Sequence, residues 1–557
     1  MKLFETIGRK LRFDEPDGRF ELLETEAGQP SFFHGQNQPP VPEMRDERPV
    51  PRRLKESRRW LEAAFFTEVN TDLILRAFRF CGSVDALAVF LNGMADGEEI
   101  SDFILKQAMA APRPTRGQNL VDYALHQVFS LQEAERTDRW AQVVSAILEG
   151  RTAVLLEGAG EAVLLDTRGY AGRGVGTAQN ESTVIGPSEA FHENLRISIT
   201  LLRRILRRAD FVCEFRDLGS RNNVKIALCY LGGVCSEALL GEIKRRLARV
   251  KPDLLLSAGT LGQRIEDRPW SPVPQTLLTE RPDRAAAAIM AGKVVILVEG
   301  SPQVLILPVT LSGLLLTAED SYLRRPAGSI IRFVRLFGAA VSVLIPAYFL
   351  ALAYHHQGLL SSDILSTVVS SRKLVFLPMG AEMIFLLTVF QLVREAGVRV
   401  PGTVGQTVGI IGGLILGQAA VSANFVSTVA LIIVALTGLG NFVIPNYDLQ
   451  IAVACYRVAL CLLALMGGLL GFSCGIMAAL ILLADQKSFG VPFLSPYAPR
   501  TVARETLFFR GQVKGQGHAQ DDMNGEAALC TCAWAASAGR RAPAPWASLP
   551  SSPASSP

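Results

Sequence analysis

The chain has 557 residues, of which 49% are hydrophobic and 19% are charged, and this balance is too apolar for an ordinary soluble enzyme. Charged residues are common up to about position 335 and then become scarce as far as position 483. The net charge of +4 is small for the length, so we expect no nucleic acid partner. This composition indicates a soluble domain joined to a membrane domain.

Both ends of the chain have the composition of solvated tails. Residues 1–60 are rich in polar residues, Pro and Gly, which predicts a disordered N-terminal tail. The first residues contain no apolar run of signal-peptide length, so we expect the domain that follows to stay in the cytoplasm. Residues 511–557 become rich in Gly, Ala, Ser and Pro, which predicts a second disordered tail with no inferred role.

An internal duplication lies between the tails. The segment GRTAVLLEGAGEAVLLDT at 150–167 resembles GKVVILVEGSPQVLILPV at 292–309, which lies 142 residues later. A second pair, ALAVFLNG at 86–93 and IALCYLGG at 226–233, repeats at an offset of 140 residues. The first pair predicts strand, glycine turn, strand, and the second predicts a buried strand followed by a helical stretch. We therefore predict two tandem α/β subdomains of similar fold, at 61–183 and 211–325.

A helical pattern separates the two predicted subdomains. Residues 188–208 carry carboxylates early and arginines late, as the helix dipole favours, and Gly186-Pro187 is a suitable start. Five apolar residues share one face: Phe191, Leu195, Ile199, Leu202 and Leu206. We predict a linker helix within 184–210, and a docking surface for a partner is the alternative.

Apolar segments then predict an α-helical, polytopic membrane domain at 326–490. Ile330–Tyr354 is a first span, and the arginines before it place its start in the cytoplasm. Leu374–Val393 is a second span, so residues 355–372 form an outer loop. Thr407–Ala423 and Phe425–Ile444 form a tight hairpin, or a re-entrant segment and a span. Leu449–Ala484 suits one long helix or two short ones, which gives about four to six spans.

Polar groups inside the predicted spans are the candidate functional residues of the membrane domain. A charged group there costs about 2.5 to 3.5 kcal/mol, so Glu382 and Arg457 need a wet or paired environment. Thr388, Gln391 and Glu395 fall within about 60° of one another on a helix, while Glu382 projects about 120° away. This polar stripe could face a pore or a partner, or it could serve helix packing.

Sequence motifs of catalysis are missing. The chain has no P-loop, HExxH or GxSxG motif, and its six histidines are scattered along the sequence. We therefore expect neither an enzyme nor a metal site or other cofactor.

Several motifs between positions 65 and 499 resemble, in the same order, the A subunit of GerA-type spore germinant receptors in the GerA/SpoVAF family. They are VIGPSEAFHENLRISITLLRRIL at 184–206, TERPD at 279–283, the hairpin at 292–308, REAGVRVP at 394–401, GQAAV at 417–421, FVIPNY and SFGVPFLSP. The residues that carry the first two motifs are Gly186, Pro187, Glu189, Glu193, Arg196, Thr279, Glu280, Arg281, Pro282 and Asp283.

The resemblance implies an integral protein of the inner spore membrane, surrounded by lipid. It implies a transporter-like B subunit, thought to bind the nutrient, and a lipoprotein C subunit as partners. It also implies that the A subunit transmits the signal and forms a homo-oligomeric channel for monovalent cations. The family carries further acidic residues near the positions of Leu387 and Gln391, and an arginine where this chain has Ile185. Fewer acidic residues would weaken cation attraction in a pore.

Two other functions compete with this one. The large duplicated domain and the missing acidic residues suit a structural scaffold that holds the B and C subunits. A SpoVAF-like ion-release amplifier, rather than a nutrient receptor, is the third hypothesis. Neighbouring genes would distinguish a receptor subunit from an amplifier.

Overall fold

The computed structural model of the chain describes residues 48–114, 119–131, 133–169, 176–178, 180–181, 183–219, 222–250, 252–399, 417–495 and 497–498. The predicted tail at 511–557 lies outside these residues, as does the predicted tail at 1–60 up to position 47. Residues 407–416 of the predicted Thr407–Ala423 segment lie outside them as well.

Two five-stranded antiparallel sheets follow one another along the chain, and their strand orders are equivalent: β1-β2-β4-β5-β3 and β6-β7-β9-β10-β8. The first sheet contains β1 (Leu73–Phe80), β2 (Val84–Leu91), β3 (Ala134–Thr137), β4 (Thr152–Leu156) and β5 (Ala162–Leu165). The second contains β6 (Phe211–Leu218), β7 (Val224–Leu231), β8 (Leu277–Thr279), β9 (Val294–Val298) and β10 (Val304–Leu307). The α/β fold of the N-terminal domain is confirmed, and both predicted hairpins are present as β4–β5 and β9–β10.

Helices cover both faces of each sheet. The first repeat has α1 (Leu54–Phe65), α2 (Gly97–Glu99), α3 (Lys106–Ala110), α4 (Leu120–Tyr123) and α5 (Trp140–Leu148), with π-helical turns at Ile100–Leu105 and Ala124–Val128. The second has α6 (Leu195–Ile205), α7 (Glu237–Arg249), α8 (Ala258–Ile265), α9 (Pro282–Met290) and α10 (Leu311–Leu315). Because strand side chains alternate between faces, each sheet contributes to two separate apolar cores.

The helix between the sheets is the first helix of the second repeat rather than a linker. A glutamate from the β4–β5 turn, Glu157, accepts a hydrogen bond from the backbone N–H of Leu54 at the start of α1 (2.8 Å). Glu299, from the β9–β10 turn, accepts the corresponding bond from Leu195 at the start of α6 (3.2 Å). Helices α1 and α6 therefore occupy equivalent places.

The predicted start of this helix at Gly186-Pro187 is wrong. Helix α6 begins at Leu195, and the Asn194 side chain caps it by accepting a bond from the backbone N–H of Arg196 (3.0 Å). The preceding residues are held outside the helix because the Phe191 N–H donates to the Glu280 carbonyl (2.8 Å). All five residues of the predicted apolar face are nevertheless buried.

A helical region follows the second repeat. It consists of α11 (Arg325–His355), α12 (Ser362–Arg372), α13 (Met379–Arg399), α14 (Gly417–Ser422), α15 (Thr428–Phe442) and α16 (Tyr447–Ala484), with 3-10 turns at Ala318–Ser321 and Gln357–Leu359. The short strands β11 (Lys487–Ser488) and β12 (Val491–Pro492) end it. Among the described residues, α11 and α16 are long and apolar enough to cross a membrane, and α15 is apolar but shorter.

Helix α16 is a helical hairpin, which settles the choice between one long helix and two short ones. Gly468, with φ +56° and ψ −137°, breaks the helix, and a side chain there would be strained. Leu460 from the first arm packs against Gly475 of the second, so the arms run back along each other. His355, at the end of α11, lies 2.7 Å from the Leu465 carbonyl near the bend (Nε2 to O).

The predicted second span starts too early. Residues Leu374–Pro378 are not helical, and α13 begins only at Met379. Proline disfavours a helical conformation at the residue before it, and the Pro378 carbonyl accepts the first helical bond, from Glu382 (2.8 Å). Helix α12 occupies much of the predicted outer loop.

Candidate functional site

Gly186-Pro187 and the TERPD motif at 279–283 are distant in sequence. They meet around the guanidinium of Arg281. This group, 2% exposed, donates to both carboxylate oxygens of Asp283 (3.0 and 2.7 Å), to Thr183 Oγ1 (2.7 Å) and to the Pro187 carbonyl (3.0 Å). Arginine presents its donors as a planar fork, so it can hold a carboxylate and two further acceptors together. We call Arg281, Asp283 and Tyr322 the Arg281 junction.

Tyr322 connects the junction to the helical region. Its hydroxyl donates to Asp283 Oδ2 (2.7 Å), and α11 begins three residues later at Arg325. Gly186 lies against the tyrosine ring, since a Cβ there would come within 2.7 Å of Tyr322 Cε2. The motif glycine therefore leaves room for the ring.

Ionisation in the junction follows from burial and these bonds. Burial alone would raise the pKa of Asp283, but hydrogen bonds from Arg281 and Tyr322 and the charge of Arg281 lower that pKa below its ordinary value. Burial, followed by the bond to Asp283, raises the pKa of Tyr322 to about 12. Near neutral pH the junction thus holds an ionised carboxylate between a cation and a neutral phenol.

The remaining acidic motif residue of TERPD binds the segment between the repeats. Glu280 accepts from the Gln303 side chain (3.1 Å) and from the side chain of Asn180. Thr279 donates its hydroxyl to Glu181, and Pro282 starts α9 as its first residue. The segment between the sheets is therefore attached to the second repeat.

The other predicted motif residues make contacts outside the Arg281 junction. Glu189 lies 3.5 Å from Arg204, and the Glu193 carbonyl accepts from the Gly300 N–H (2.8 Å). Arg196 reaches Asn92 of the first repeat at 3.5 Å.

A buried ion pair that no sequence pattern indicates joins the repeats. Arg203 donates to Asp72 (3.0 Å), and both side chains are under 5% exposed. Burial outweighs the charge of Arg203 and raises the pKa of Asp72. The partners are 131 residues apart, so no local pattern could have indicated them.

A second buried cluster holds α11 to the end of the second repeat. Asp320, 1% exposed, accepts from Arg335 (2.8 Å) and lies 3.7 Å from Arg332. Arg335 also donates to the Leu315 carbonyl (2.8 Å). Arg332 and Arg335, near the start of the predicted first span, are therefore structural contacts.

The SFGVPFLSP motif fixes the other end of the helical region to the same repeat. Ser488 accepts from the Val309 N–H (3.1 Å) and donates to the Gln275 carbonyl (2.7 Å). Phe493 lies in the core beneath the second sheet, together with Ile444 and Leu449. Both ends of the helical region thus contact the second repeat.

Glu382, the predicted intramembrane acid, links its helix α13 to two neighbouring helices. It is 0% exposed, and it accepts from Arg372 of α12 (2.8 Å) and from the Ser427 N–H at the start of α15. Its charge is thus compensated within the chain.

The three residues of the predicted polar stripe, Thr388, Gln391 and Glu395, differ in their exposure and in their contacts. Thr388 is exposed, and its hydroxyl donates to the Ile384 carbonyl of its own helix (2.8 Å). Gln391 is half-buried. Glu395 accepts from the Tyr447 hydroxyl of α16 (3.4 Å). Leu387, where the family pattern has acid, is buried among apolar residues.

Arg457, the predicted intramembrane base, is 3% exposed in the first arm of α16. Its Nη2 donates to Asn441 Oδ1 of α15 (3.1 Å). The structure therefore places Arg457 apart from Glu382, beside a neutral amide.

One signal in the sequence could have indicated the importance of Arg281. Thr137-Asp138-Arg139 matches Thr279-Glu280-Arg281 at the 142-residue offset of the hairpins. In both copies the arginine N–H donates to the threonine hydroxyl, at 3.1 and 3.2 Å, before a helix begins. Within the described residues, no group of three or more His, Cys, Asp or Glu side chains is arranged to hold a metal ion.

Comparisons with known proteins agree with the motif pattern. A family model described as Bacillus/Clostridium GerA spore germination protein matches residues 61–519. Spore germination protein GerLA of Bacillus cereus is 32% identical, over 77% of this chain and 87% of its own length. Spore germination protein KA of Bacillus subtilis is 30% identical over 77% and 79%. The uncharacterized membrane protein YfkQ of Bacillus subtilis is 31% identical over 82% and 89%.

A solved structure is also similar. It is the crystal structure of the N-terminal domain of the A subunit of the Bacillus megaterium spore germinant receptor GerK3, which is 22% identical with a TM-score of 0.36. The match covers 47% of this chain and 97% of that one. With the family match over most of its length and relatives of the germinant-receptor A-subunit type, this chain belongs to the GerA family of spore germination proteins.

Proposed function

We propose that this protein is the A subunit of a spore germinant receptor and that it transmits nutrient sensing to its own membrane helices. It acts in the inner spore membrane with a transporter-like B subunit and a lipoprotein C subunit. The observation that carries this proposal is the double attachment of the helical region to the second repeat. A displacement of the second sheet would reach α11 through Tyr322 and Asp320, and α16 through Ser488.

Membrane insertion is supported by the arrangement of apolar helices. Helices α11, α13, α15 and the two arms of α16 share one apolar core and form one bundle. Large apolar side chains on its outer surface include Phe333, Phe337, Leu392 and Met466, which a bilayer or neighbouring subunits would cover. The arginines at the start of α11 favour the cytoplasm for both repeats.

Conduction of monovalent cations by an oligomer is the proposed output. Thr388 lies on a face of α13 that the described residues leave uncovered, together with Leu392, which is 64% exposed. Assembly of several copies around α13 would bring Thr388 and the half-buried Gln391 towards a shared axis. Polar side chains at such an axis support ion passage, and acidic ones favour cations.

The scaffold hypothesis also has one specific observation in its favour. Glu382 is bound by Arg372 and by a backbone N–H, so it has no free charge with which to attract a cation. In a protein that only holds the B and C subunits, Glu382 would serve to hold helices together. Loss of the scaffold would lower the amounts of both partners, whereas loss of a channel would lower ion flux alone.

Potassium release from germinating spores separates the two functions. Spores would carry the parent protein or Gln391→Glu, with the amounts of all three subunits measured by blotting. Gln357→Glu is the matched control, because it adds the same charge in the exposed turn after α11. The channel hypothesis predicts a changed rate for Gln391→Glu alone at normal protein amounts.

Glu382→Ala completes the experiment. It leaves Arg372 without its carboxylate, so we expect reduced amounts of the A subunit, and its flux has to be corrected for abundance. If potassium release, corrected for protein amount, is unchanged in both Gln391→Glu and Glu382→Ala, the scaffold hypothesis is favoured.

A further inference from the structure

Two buried arginines of the helical region differ from the other buried arginines. Among the described residues, the buried arginines that lie within 3.7 Å of a carboxylate are Arg203, Arg281, Arg332 and Arg335. Arg394 of α13 and Arg457 of α16 are 6% and 3% exposed, yet neither forms an ion pair with any residue that the structure describes. Their positive charges are therefore not neutralised by this part of the chain.

The nitrogen atoms of these arginines are only partly used. Arg394 Nη1 donates to Gln450 (3.2 Å), and Arg457 Nη2 donates to Asn441 (3.1 Å), so both acceptors are neutral amides. Arg394 Nε and Nη2, Arg457 Nε and Asn441 Nδ2 have no acceptor among the described residues. All four atoms are hydrogen-bond donors. We call Arg394, Asn441 and Arg457 the donor cluster.

Nearby acids do not neutralise the cluster. Glu395 accepts from Tyr447, and Asp448, at the start of α16, forms no ion pair with either arginine among the described residues. Gln450, which accepts from Arg394, and Arg457 lie seven residues apart on one face of α16, so the two like charges share one side of that helix. A buried, uncompensated cation is unfavourable unless an anion accompanies it, so the cluster has the chemistry of an incomplete anion site.

The position of the cluster indicates which anion it would take. Asn441 lies three residues before Ile444, which packs beneath the second sheet, so the cluster is in the half of the bundle nearest the repeats. Guanidinium groups bind phosphate through paired hydrogen bonds, and basic pockets between membrane helices on the cytoplasmic side hold phosphate headgroups. We propose that the donor cluster binds a phosphate-class anion between α13, α15 and α16. Occupancy of this site does not depend on whether the helices conduct ions.

Thermal unfolding of the full chain in lipid nanodiscs tests this site. One arm compares phosphatidylcholine with an equal mixture of phosphatidylcholine and phosphatidylglycerol. The other adds inorganic phosphate, against chloride at equal ionic strength, to nanodiscs of phosphatidylcholine alone. A ligand that binds only the folded state raises the midpoint, and we expect an increase of about 3 °C or more for the parent.

The double variant Arg394→Gln with Arg457→Gln separates loss of anion binding from loss of folding in this thermal unfolding test. Removing two uncompensated charges should leave the midpoint in phosphatidylcholine unchanged or higher, and the increase with anion should disappear. Lys373→Gln is the control, because it removes an exposed cation at the opposite end of the bundle and should retain the increase.

The outcomes distinguish the sources of the phosphate group. An increase with phosphatidylglycerol alone supports a lipid headgroup, and an increase with inorganic phosphate as well supports a free oxyanion. The proposal is overturned if the parent shows no increase in either arm, or if the double variant retains the increase in full.

Discussion

The two repeats share their architecture, but among the described residues the contacts with the helical region come from the second repeat. Both have the same strand order, the same glutamate cap on the first helix and the same Thr-acid-Arg turn before α5 or α9. Arg139 of the first turn is exposed, whereas Arg281 of the second is buried. A duplicated fold has therefore acquired different surroundings at matching positions.

One residue accounts for much of this difference. Two positions after the arginine, the first repeat has Ala141 and the second has Asp283. Asp283 supplies the carboxylate that a buried arginine needs, and it also accepts from Tyr322. The second repeat thus differs from the first at its α9 end, where it contacts Tyr322 just before α11.

The largest expected effect on stability comes from replacing the buried arginine of the second repeat. Arg281→Ala leaves Asp283 buried without its cation, so we expect a loss of about 3 to 5 kcal/mol in the free energy of unfolding. Arg139→Ala, at the matching exposed position, should change it by no more than about 0.5 kcal/mol. Pulse proteolysis of the full chain in detergent and urea would measure both, and equal losses would contradict the difference between the repeats.

A smaller effect is expected from the carboxylate, and it depends on pH. Asp283→Asn should cost about 2 kcal/mol near neutral pH, through weaker hydrogen bonds to Arg281 and Tyr322. The pKa of Asp283 is lowered by folding, so its stabilisation is complete above the ordinary value of 3.8 and is lost as the pH falls further.

Thermal midpoints of parent and Asp283→Asn across the acidic range would check this dependence. The two curves should converge as the pH falls below 3.8. If the difference between the two thermal midpoints stays constant into strong acid, the contribution of Asp283 to stability does not depend on its charge.

The helix caps provide the smallest effect and test the similarity of the repeats. Glu157→Ala and Glu299→Ala each remove one side-chain cap, so each should cost about 1 kcal/mol. The Glu299 variant should cost slightly more, because its bond to Leu195 is partly buried. The same proteolysis assay applies, and a cost confined to one variant would mean that the caps are not equivalent.

The sequence predicted the features of the fold that depend on local pattern. The glycine turns and apolar strands of 150–167 and 292–309 indicated both hairpins, and the long apolar segments indicated α11 and α16. Strands β1 and β6 are not among the predictions, because they are edge strands whose apolar runs are interrupted by charges such as Arg76 and Glu214. Pairs such as Arg203 with Asp72 depend on tertiary packing and leave no sequence pattern.

The candidate site was predictable to a similar extent. The motif residues around Arg281 were identified through the resemblance, but their meeting with Tyr322 depends on the return of the chain from β10 to α11. Glu382 was identified by the cost of a charge among apolar residues, but its ion pair with Arg372 depends on tertiary packing and was not predicted. The polar stripe remains a prediction about how several copies assemble.

The most direct test of signal transmission through the junction is potassium release from spores carrying Tyr322→Phe. This change removes the hydroxyl that bonds Asp283 and keeps the ring beside Gly186. Tyr123→Phe is the matched control, because it removes one hydroxyl bond, to the Pro112 carbonyl, in the first repeat. At equal protein amounts, we expect slower nutrient-triggered release for Tyr322→Phe and normal release for Tyr123→Phe. Normal release in both variants would contradict transmission through the Arg281 junction.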